Sequence, residues 1–244
     1  MHVERWGVGP RVVLVHGAVA DGNGTWLLQR PLADRFELVV PDRPGYGQNP
    51  RIEYEDFEAD APLVADLLEG GAHLVGHSYG GVISLLAAAA RPDAVRSLTV
   101  IEPPAFALAA GDPAVDELVT RLADHWRSAS REPEEFLRGF LAIVGSSLDL
   151  PSPLPPSLQR GAEVLLVERG PWEAVIPLMN IAAAPFPKLV VSGGHSRAFD
   201  AVCDVLEERL GAERAVIAGA GHSVQRTGAP FNERLERFLS AASA

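Results

Sequence analysis

The feature that most limits the fold of this 244-residue chain is an alternation of short apolar runs with longer helical patterns. Apolar runs rich in valine, leucine and isoleucine occupy residues 12–15, 37–40, 73–75, 98–101, 188–191 and 215–217. Helical patterns lie between or after them at residues 25–34, 54–69, 80–90, 199–210 and 230–240. Continuously apolar strands that alternate with helices are typical of a parallel sheet covered on both faces. The sequence therefore predicts an α/β fold with a mostly parallel sheet flanked by helices.

The alternation stops between residues 105 and 185, where no clear strand pattern is found. Four helical patterns take its place, at residues 113–128, 133–144, 158–168 and 172–183. A helical insertion between two strands of a sheet is best interpreted as a cap over a functional site. A separate helical domain is the other interpretation, but each helix has little apolar surface with which to fold alone. We predict a core of residues 1–104 and 186–244 and a helical cap of residues 105–185.

The overall charge and the cysteine content exclude several classes of protein. The net charge is −11, from 32 acidic and 21 basic residues, which argues against nucleic acid or an anionic membrane surface as partner. The single cysteine, Cys203, cannot form an intrachain disulfide or a cysteine-based zinc cluster. The N-terminal residues lack the pattern of a signal peptide, and no apolar stretch is long enough to span a bilayer. We expect a cytoplasmic protein, and the sequence leaves its oligomeric state open.

The segment Gly76-His77-Ser78-Tyr79-Gly80-Gly81 joins a predicted strand to a predicted helix. A G-x-S-x-G motif in this context places its serine on a sharp turn at the end of a sheet strand, exposed to substrate. Side chains at the glycine positions would collide with the neighbouring strand and helix. A glycine-bounded turn with an incidental serine is the other interpretation. The flanking strand and helix favour Ser78 as a nucleophile.

A serine hydroxyl needs a neighbouring base that takes its proton, so a histidine must lie near Ser78. His222 stands in a glycine-rich loop after the last predicted strand, and His195 also follows a predicted strand. Histidine is the last triad member in the chain order that accompanies this serine motif, which favours His222. The other histidines fit structural or solvent-exposed positions better: His2, His16, His73, His77 and His125.

Attack on a carbonyl group creates an oxyanion, which requires preorganised hydrogen-bond donors. The backbone N–H of Tyr79 follows the nucleophile directly and is one expected donor. The N–H of Ala18, in the loop after the strand at 12–15, is the other, although this loop could also be an ordinary glycine turn. Phosphate-binding loops, dinucleotide motifs and clusters of metal ligands are not evident in the sequence, so we predict no metal and no cofactor.

These motifs together resemble the α/β-hydrolase family over nearly the whole chain. The resemblance rests on His16-Gly17, on Asp42-Arg43-Pro44-Gly45-Tyr46-Gly47, on the serine motif and on Gly221-His222. It implies the α/β-hydrolase fold, with an eight-stranded, mostly parallel sheet. Residues 1–10 leave little room for the usual first two strands, so we expect that edge of the sheet to be reduced.

The acid of the triad is the point at which the chain departs from most of the family. Most members carry an aspartate in the loop after the strand at 188–191, where this chain has Ser196. Haloalkane dehalogenases and zearalenone-type lactonases are similar to this chain in placing a glutamate after the neighbouring strand, at the position of Glu102. The resemblance therefore implies Glu102 as the acid that orients His222. Asp200 is the alternative acid, and a structural turn before Pro103 is the alternative role of Glu102.

A serine at the nucleophile position distinguishes the chain from haloalkane dehalogenases and epoxide hydrolases, which use aspartate there. Serine indicates acyl transfer through an acyl-enzyme, as in a carboxylesterase or lactonase. Thioesters and the C–C bonds of β-diketone-like compounds are alternative substrates on the same triad. A hydroxynitrile-lyase-like enzyme usually has a cap lysine, and no lysine occurs between residues 105 and 185. A non-catalytic ligand receptor on the same fold is a further alternative.

The cap offers apolar side chains for the wall of a substrate pocket. As residues of helix faces they could equally form the core of the cap. Together they indicate a small hydrophobic substrate. The candidates are Phe106, Leu108, Trp126, Phe136, Phe140, Trp172, Ile176 and Met179.

Overall fold

The computed structural model describes residues 1–146 and 148–243. A single sheet runs through it and contains seven strands in this part of the chain. In chain order the strands are β1 (Val3–Trp6), β2 (Arg11–Val15), β3 (Glu37–Pro41), β4 (Ala72–His77), β5 (Val95–Ile101), β6 (Lys188–Ser192) and β7 (Glu213–Val216). Their spatial order is β1-β3-β2-β4-β5-β6-β7.

All neighbouring strands are parallel except β1, which runs antiparallel to β3. The predicted α/β fold with a mostly parallel sheet is therefore confirmed. The expected number of eight strands is wrong for the described residues, which hold seven. The reduced edge has a simple cause, because residues 1–10 contain one four-residue strand and a turn with Gly7 and Gly9.

Within the described residues, five helices cover the faces of the sheet, and four others lie between β5 and β6. The five are α1 (Gly22–Trp26), α2 (Phe57–Leu67), α3 (Tyr79–Ala90), α8 (Arg197–Leu210) and α9 (Ala229–Ala241). Those between β5 and β6 are α4 (Pro113–Ser128), α5 (Pro133–Ile143), α6 (Pro156–Leu165) and α7 (Leu178–Ala183). Short 3-10 helices add Leu27–Asp34, Pro92–Ala94, Phe106–Ala109, Pro171–Glu173 and Val224–Thr227. No helix of the described residues is long and apolar enough to cross a membrane.

The central strands separate two hydrophobic cores because successive side chains point to opposite faces. On β2, Val13 packs in the core shared with α2, α3 and α8, whereas Val12 packs in the core shared with α1 and α9. All residues of β4 are buried, as expected for a central strand covered on both sides. The serine motif therefore follows directly on a strand that is buried on both faces.

Prolines account for two of the differences between predicted and observed helices. The pattern at 172–183 gives two elements, a 3-10 helix at Pro171–Glu173 and helix α7 that begins after Pro177. The pattern at 25–34 forms mostly a 3-10 helix, which contains Pro31. Proline lacks the N–H that an α-helix interior requires, so both segments depart from one continuous helix.

The segment between β5 and β6 is attached to the rest of the chain by backbone pairing. The N–H of Glu55 donates to the Val167 carbonyl (3.1 Å), and the N–H of Arg169 donates to the Glu55 carbonyl (2.9 Å). These bonds form a short parallel bridge between Glu55 and Glu168. Side chains of this segment, including Leu122, Trp126 and Phe140, line the space beside Ser78 at the carboxyl end of β4. The division into core and cap domains stays a prediction.

Candidate active site

Ser78 lies on a sharp turn between β4 and α3 with a backbone φ of 52°. Its N–H donates to the Ile101 carbonyl at 2.8 Å, which ties the turn to the end of β5. A Cβ on Gly76 would lie 2.4 Å from the Gly80 carbonyl oxygen, and one on Gly80 would lie 2.4 Å from the His16 carbonyl oxygen. Both positions exclude any side chain, so the glycines permit the strained conformation that presents Ser78.

Three side chains from separate strand ends form a continuous chain of hydrogen bonds. The hydroxyl of Ser78 lies 2.9 Å from Nε2 of His222. Nδ1 of His222 lies 2.7 Å from Oε2 of Glu102. All three residues are buried, with exposed fractions of 7%, 7% and 0%. The arrangement allows His222 to take a proton from Ser78 while its other nitrogen donates to a carboxylate.

Glu102 follows β5 directly and has a positive φ of 44°, which is unusual for a residue other than glycine. Its Oε1 accepts from the N–H of Gly193 at 2.7 Å and lies 3.3 Å from Nδ1 of His195. Burial disfavours the charged carboxylate, but hydrogen bonds from His195, His222 and Gly193 outweigh burial and lower the pKa of Glu102 to about 2. Glu102 is therefore an anion at neutral pH.

Asp200 and His195, the two alternatives from the sequence, have other partners. Asp200 lies in the first turn of α8, where its Oδ1 accepts from Ser192 Oγ (2.6 Å) and from Arg214 (3.1 Å). Among the described residues, no hydrogen bond or ion pair joins Asp200 to His222, or His195 to Ser78. The structure thus brings Ser78, His222 and Glu102 together, leaves Asp200 outside this group and places His195 against Glu102 rather than against Ser78.

Two buried histidines that the sequence assigned to structural roles support the site directly. Nε2 of His77 lies 3.0 Å from the carbonyl oxygen of His222, and the carbonyl can only accept. Burial and the neighbouring His222 ring lower the pKa of His77 to about 3, so His77 is neutral. The position of His77 directly before Ser78 indicates that it lies near the site, but the sequence does not show which way its ring points.

His16 holds the loop that follows β2 in a defined shape. Its Nδ1 donates to the Gly17 carbonyl (2.8 Å), and its Nε2 accepts from the N–H of Arg43 (2.9 Å). The Arg43 side chain also donates to the Gly17 carbonyl at 3.0 Å. A Cβ on Gly17 would lie 2.9 Å from the Cβ of Ser78, so this loop packs directly against Ser78. The loop carries Ala18, the expected oxyanion donor.

Ala18, Ser78 and Tyr79 line one cavity, which extends from Ser78 in two directions. One lobe is mostly apolar. Its further lining residues include Pro104, Phe106, Leu122, Trp126, Trp172 and Phe199. The other lobe has more polar walls. Its lining residues include Thr25, His77, Ser146, Ser223, Gln225 and Arg226. A substrate carbonyl at Ser78 would therefore have an apolar side and a polar side.

The apolar residues predicted for the pocket wall divide into three groups. Phe106, Trp126, Phe140 and Trp172 line the apolar lobe. Phe136 and Ile176 are buried in the packing of the helices, and Leu108 packs on the core. Met179 is 75% exposed, so its assignment to the pocket wall is wrong. The helix α7 on which it lies presents Leu178 and Ile181 inward instead.

Glu102, His195 and His222 bring atoms that could ligate a metal within 4.8 Å of one another. Nδ1 of His222 lies 2.7 Å from Oε2 of Glu102, and Nδ1 of His195 lies 3.3 Å from Oε1. One oxygen of Glu102 accepts a hydrogen bond from His222, and the other accepts from the Gly193 N–H and faces His195 across 3.3 Å. We therefore interpret the cluster as part of the catalytic arrangement.

The fold and the sequence identify the class of protein. Residues 12–234 match the sequence model of the alpha/beta hydrolase family. The chain belongs to the alpha/beta hydrolase family, and it is a hydrolase. A solved alpha/beta hydrolase from Sphaerobacter thermophilus DSM 20745 has 27% sequence identity and a TM-score of 0.70, covering 98% of this chain and 95% of that one.

Two curated relatives are enzymes with named substrates. A pimeloyl-[acyl-carrier protein] methyl ester esterase from Methylococcus capsulatus is 35% identical over 183 residues, which are 68% of this chain and 70% of the relative. A 2-(acetamidomethylene)succinate hydrolase from Mesorhizobium japonicum is 37% identical over 107 residues, which are 42% of this chain and 38% of the relative.

Proposed function

We propose that this ester hydrolase cleaves a carboxylic ester or lactone of a small hydrophobic substrate through an acyl-enzyme on Ser78. The observation that carries the proposal is the hydrogen-bond chain from Ser78 Oγ through His222 to Glu102, with contacts of 2.9 Å and 2.7 Å. Esterase and hydrolase relatives support the same class of reaction.

In the first half of the reaction, Ser78 Oγ attacks the carbonyl carbon while His222 Nε2 takes the hydroxyl proton. The carbonyl oxygen becomes an oxyanion, which the N–H groups of Ala18 and Tyr79 stabilise. When the tetrahedral intermediate collapses, the alkoxide leaves with the proton from His222, and the acyl group stays on Ser78. Glu102 remains ionised throughout and stabilises the imidazolium form of His222.

In the second half, a water molecule replaces the alcohol and attacks the acyl-enzyme. His222 takes a proton from this water and returns it to Ser78 Oγ, so the carboxylic acid is released and the enzyme is restored. In a lactone both products are parts of one molecule, because acid and alcohol belong to the same ring.

The apolar lobe supports a hydrophobic group on one side of the scissile carbonyl. Aromatic side chains from both parts of the chain, including Trp126, Trp172 and Phe199, line this lobe closely. Long acyl chains therefore have little room beside Ser78. We therefore expect preference for short or medium acyl groups over long-chain ones.

The proposal is tested by hydrolysis of a series of p-nitrophenyl esters, lactones and acyl thioesters by the wild-type protein and by Ser78→Ala. We expect turnover of short-chain esters or lactones, and loss of that turnover in Ser78→Ala. Labelling with a fluorophosphonate probe and mass spectrometry of the peptide that contains Ser78 checks the nucleophile. A folded wild-type protein that neither reacts with the probe nor cleaves any of these substrates would contradict the proposal.

A further inference from the structure

His195 has two polar contacts that the reaction described above does not use. It follows β6 and is half-buried beside the triad. Its Nδ1 lies 3.3 Å from Oε1 of Glu102, and its Nε2 lies 3.2 Å from the carbonyl oxygen of Val144. Val144 directly follows the last residue of helix α5. The ring of His195 therefore bridges the carboxylate of the triad and the end of a helix in the predicted cap.

Both ring nitrogens of His195 lie near oxygen acceptors, which favours the protonated ring. A neutral imidazole can donate from only one nitrogen, whereas the imidazolium donates from both. The carbonyl groups at the C-terminal end of α5 also favour a positive charge there. The contact with Glu102 outweighs partial burial and raises the pKa of His195. The two contacts are thus best satisfied when the ring is protonated.

The groups packed around His195 leave Glu102 as its direct acidic partner. Glu102 approaches from the end of β5, the His222 ring from the loop after β7 at a centroid distance of 6.0 Å, and Asp200 from the first turn of α8. Asp200 also raises the pKa of His195 but is bonded to Ser192 and Arg214. Phe199 of α8 stacks on the ring at 6.0 Å and also contacts His222 at 4.6 Å.

The carboxylate plane of Glu102 is set by contacts at both of its oxygens. Oε2 is held by His222, and Oε1 is held by the Gly193 N–H and faces Nδ1 of His195. Without His195, the Gly193 N–H would be the remaining donor to Oε1. Rotation of the carboxylate would then move Oε2 away from the position that orients the imidazole of His222.

We propose that His195 is a positioning residue that clamps Oε1 of Glu102 and, through the Val144 carbonyl, links the alignment of the triad acid to the seating of helix α5. This inference rests on the proposed function, because the rate effect it predicts concerns the same triad. A substrate that displaces the end of α5 would also disturb Glu102. Binding that leaves α5 in place keeps the acid aligned.

The kinetic test compares His195→Gln and His195→Ala with the wild type on p-nitrophenyl butyrate. We expect kcat to fall about 10-fold in both variants, in the range found for residues that orient catalytic ligands, with little change in KM. The wild type should lose activity at alkaline pH as His195 gives up its proton, and neither variant should show that loss at the same pH. His73→Gln is the matched control, since His73 also bridges two groups, Ser97 and Ser243, far from the site.

Three kinetic outcomes would overturn the inference: His195 variants with wild-type kcat, a change confined to KM, or a loss of activity at alkaline pH that persists in both variants.

A test without substrate uses ¹⁵N NMR of the histidine rings. At neutral pH the His195 ring should be protonated on both nitrogens in the wild type and should become neutral in Glu102→Gln. A neutral His195 ring in the wild type would overturn the inference, whether or not p-nitrophenyl butyrate is a substrate. If only the proposed function is wrong, the NMR spectrum should still show a protonated His195.

Discussion

The two carboxylates that compete for the role of triad acid differ in their existing partners. Glu102 contacts His222 at 2.7 Å, whereas Asp200 accepts from Ser192 and Arg214. An aspartate that already neutralises an arginine gains little from a neighbouring imidazole. Because Glu102 is completely buried, its negative charge acts on His222 with little screening by water.

Exchange of the two carboxylates for neutral groups separates their roles. We expect Glu102→Gln and Glu102→Ala to lower kcat by about 10⁴-fold, because His222 loses the group that holds its tautomer. Asp200→Asn should keep a kcat close to the wild-type value. The measurement is steady-state hydrolysis of the best p-nitrophenyl ester, with circular dichroism to confirm folding of each variant. Loss of activity in Asp200→Asn with an active Glu102→Ala would reverse the assignment.

The sequence predicts some of these residues better than others, for physical reasons. Ser78 lies in a motif whose strand, turn and helix are all local, so its surroundings can be inferred from neighbouring residues. Glu102 and His222 are 120 positions apart, and their contact depends on the order of strands in the sheet. Glu102 has a positive φ that turns it toward His222. No sequence pattern predicts this φ, because residue 102 is not a glycine. A choice between Glu102 and Asp200 therefore required the fold.

At the scale of helices, local capping explains where prediction succeeded. Helix α4 begins at Pro113 and ends at Ser128, the limits that its pattern predicts. The Asp112 side chain accepts from the N–H groups of Ala114 and Val115, and proline suits the first helical turn. The strand Val3–Trp6 was not predicted, because four residues with two charges carry no strong apolar pattern. Its pairing with β3 supplies the stability that local sequence does not.

Helix α6 packs on the loop that carries the expected oxyanion donor, and a single glycine permits this approach. A Cβ on Gly161 would lie 1.7 Å from the carbonyl oxygen of Val19, the residue after Ala18. A side chain at this position must displace either the helix or the loop. The position of Ala18 beside Ser78 therefore depends on the absence of a side chain at residue 161.

We expect Gly161→Ala to reduce kcat/KM by about 10-fold or more, since misplaced oxyanion donors lose much of their effect. Ser157→Ala is the matched control, because it also places alanine in α6 but at an exposed position. Both substitutions favour helix formation, so a difference between them reports the contact with Val19. Kinetics on one ester and thermal unfolding of both variants provide the measurement. Equal activity of the two variants would show that the loop with Ala18 and Val19 accommodates the new side chain without loss of activity.

At the scale of the whole molecule, a buried ionic cluster joins the helices over the site to the sheet. Arg43 is fully buried and contacts Glu55, Asp60 and Glu168, of which Glu168 belongs to the segment between β5 and β6. One guanidinium cannot neutralise three carboxylates. Burial and the nearby Glu55 charge outweigh the opposing effect of Arg43 and raise the pKa of Asp60 to about 7, and the pKa of Glu168 is raised as well.

Buried histidines and buried acids make the free energy of unfolding respond to pH in opposite directions. The pKa of His77 is about 3 in the folded protein, below its ordinary value of 6.5. The unfolded chain therefore binds a proton at His77 between these values when the folded protein does not, and stability falls as pH decreases below 6.5. Asp60 behaves oppositely: its raised pKa contributes stability that is fully present below 3.8 and is lost as pH rises through about 7.

Two single substitutions separate these contributions in urea unfolding measured from pH 4.5 to 8.5. His77→Gln should gain stability relative to the wild type as pH falls below 6.5, by about 1.4 kcal/mol for each pH unit, because it no longer excludes a proton. Asp60→Asn should gain stability relative to the wild type as pH rises from 4.5 through 7, because only the wild type has an acid that keeps its proton in the folded protein and releases it in the unfolded chain. The comparison uses each variant minus the wild type at the same pH, so losses that do not depend on pH cancel. Curves that run parallel to the wild type at every pH would contradict the perturbed pKa values of both His77 and Asp60.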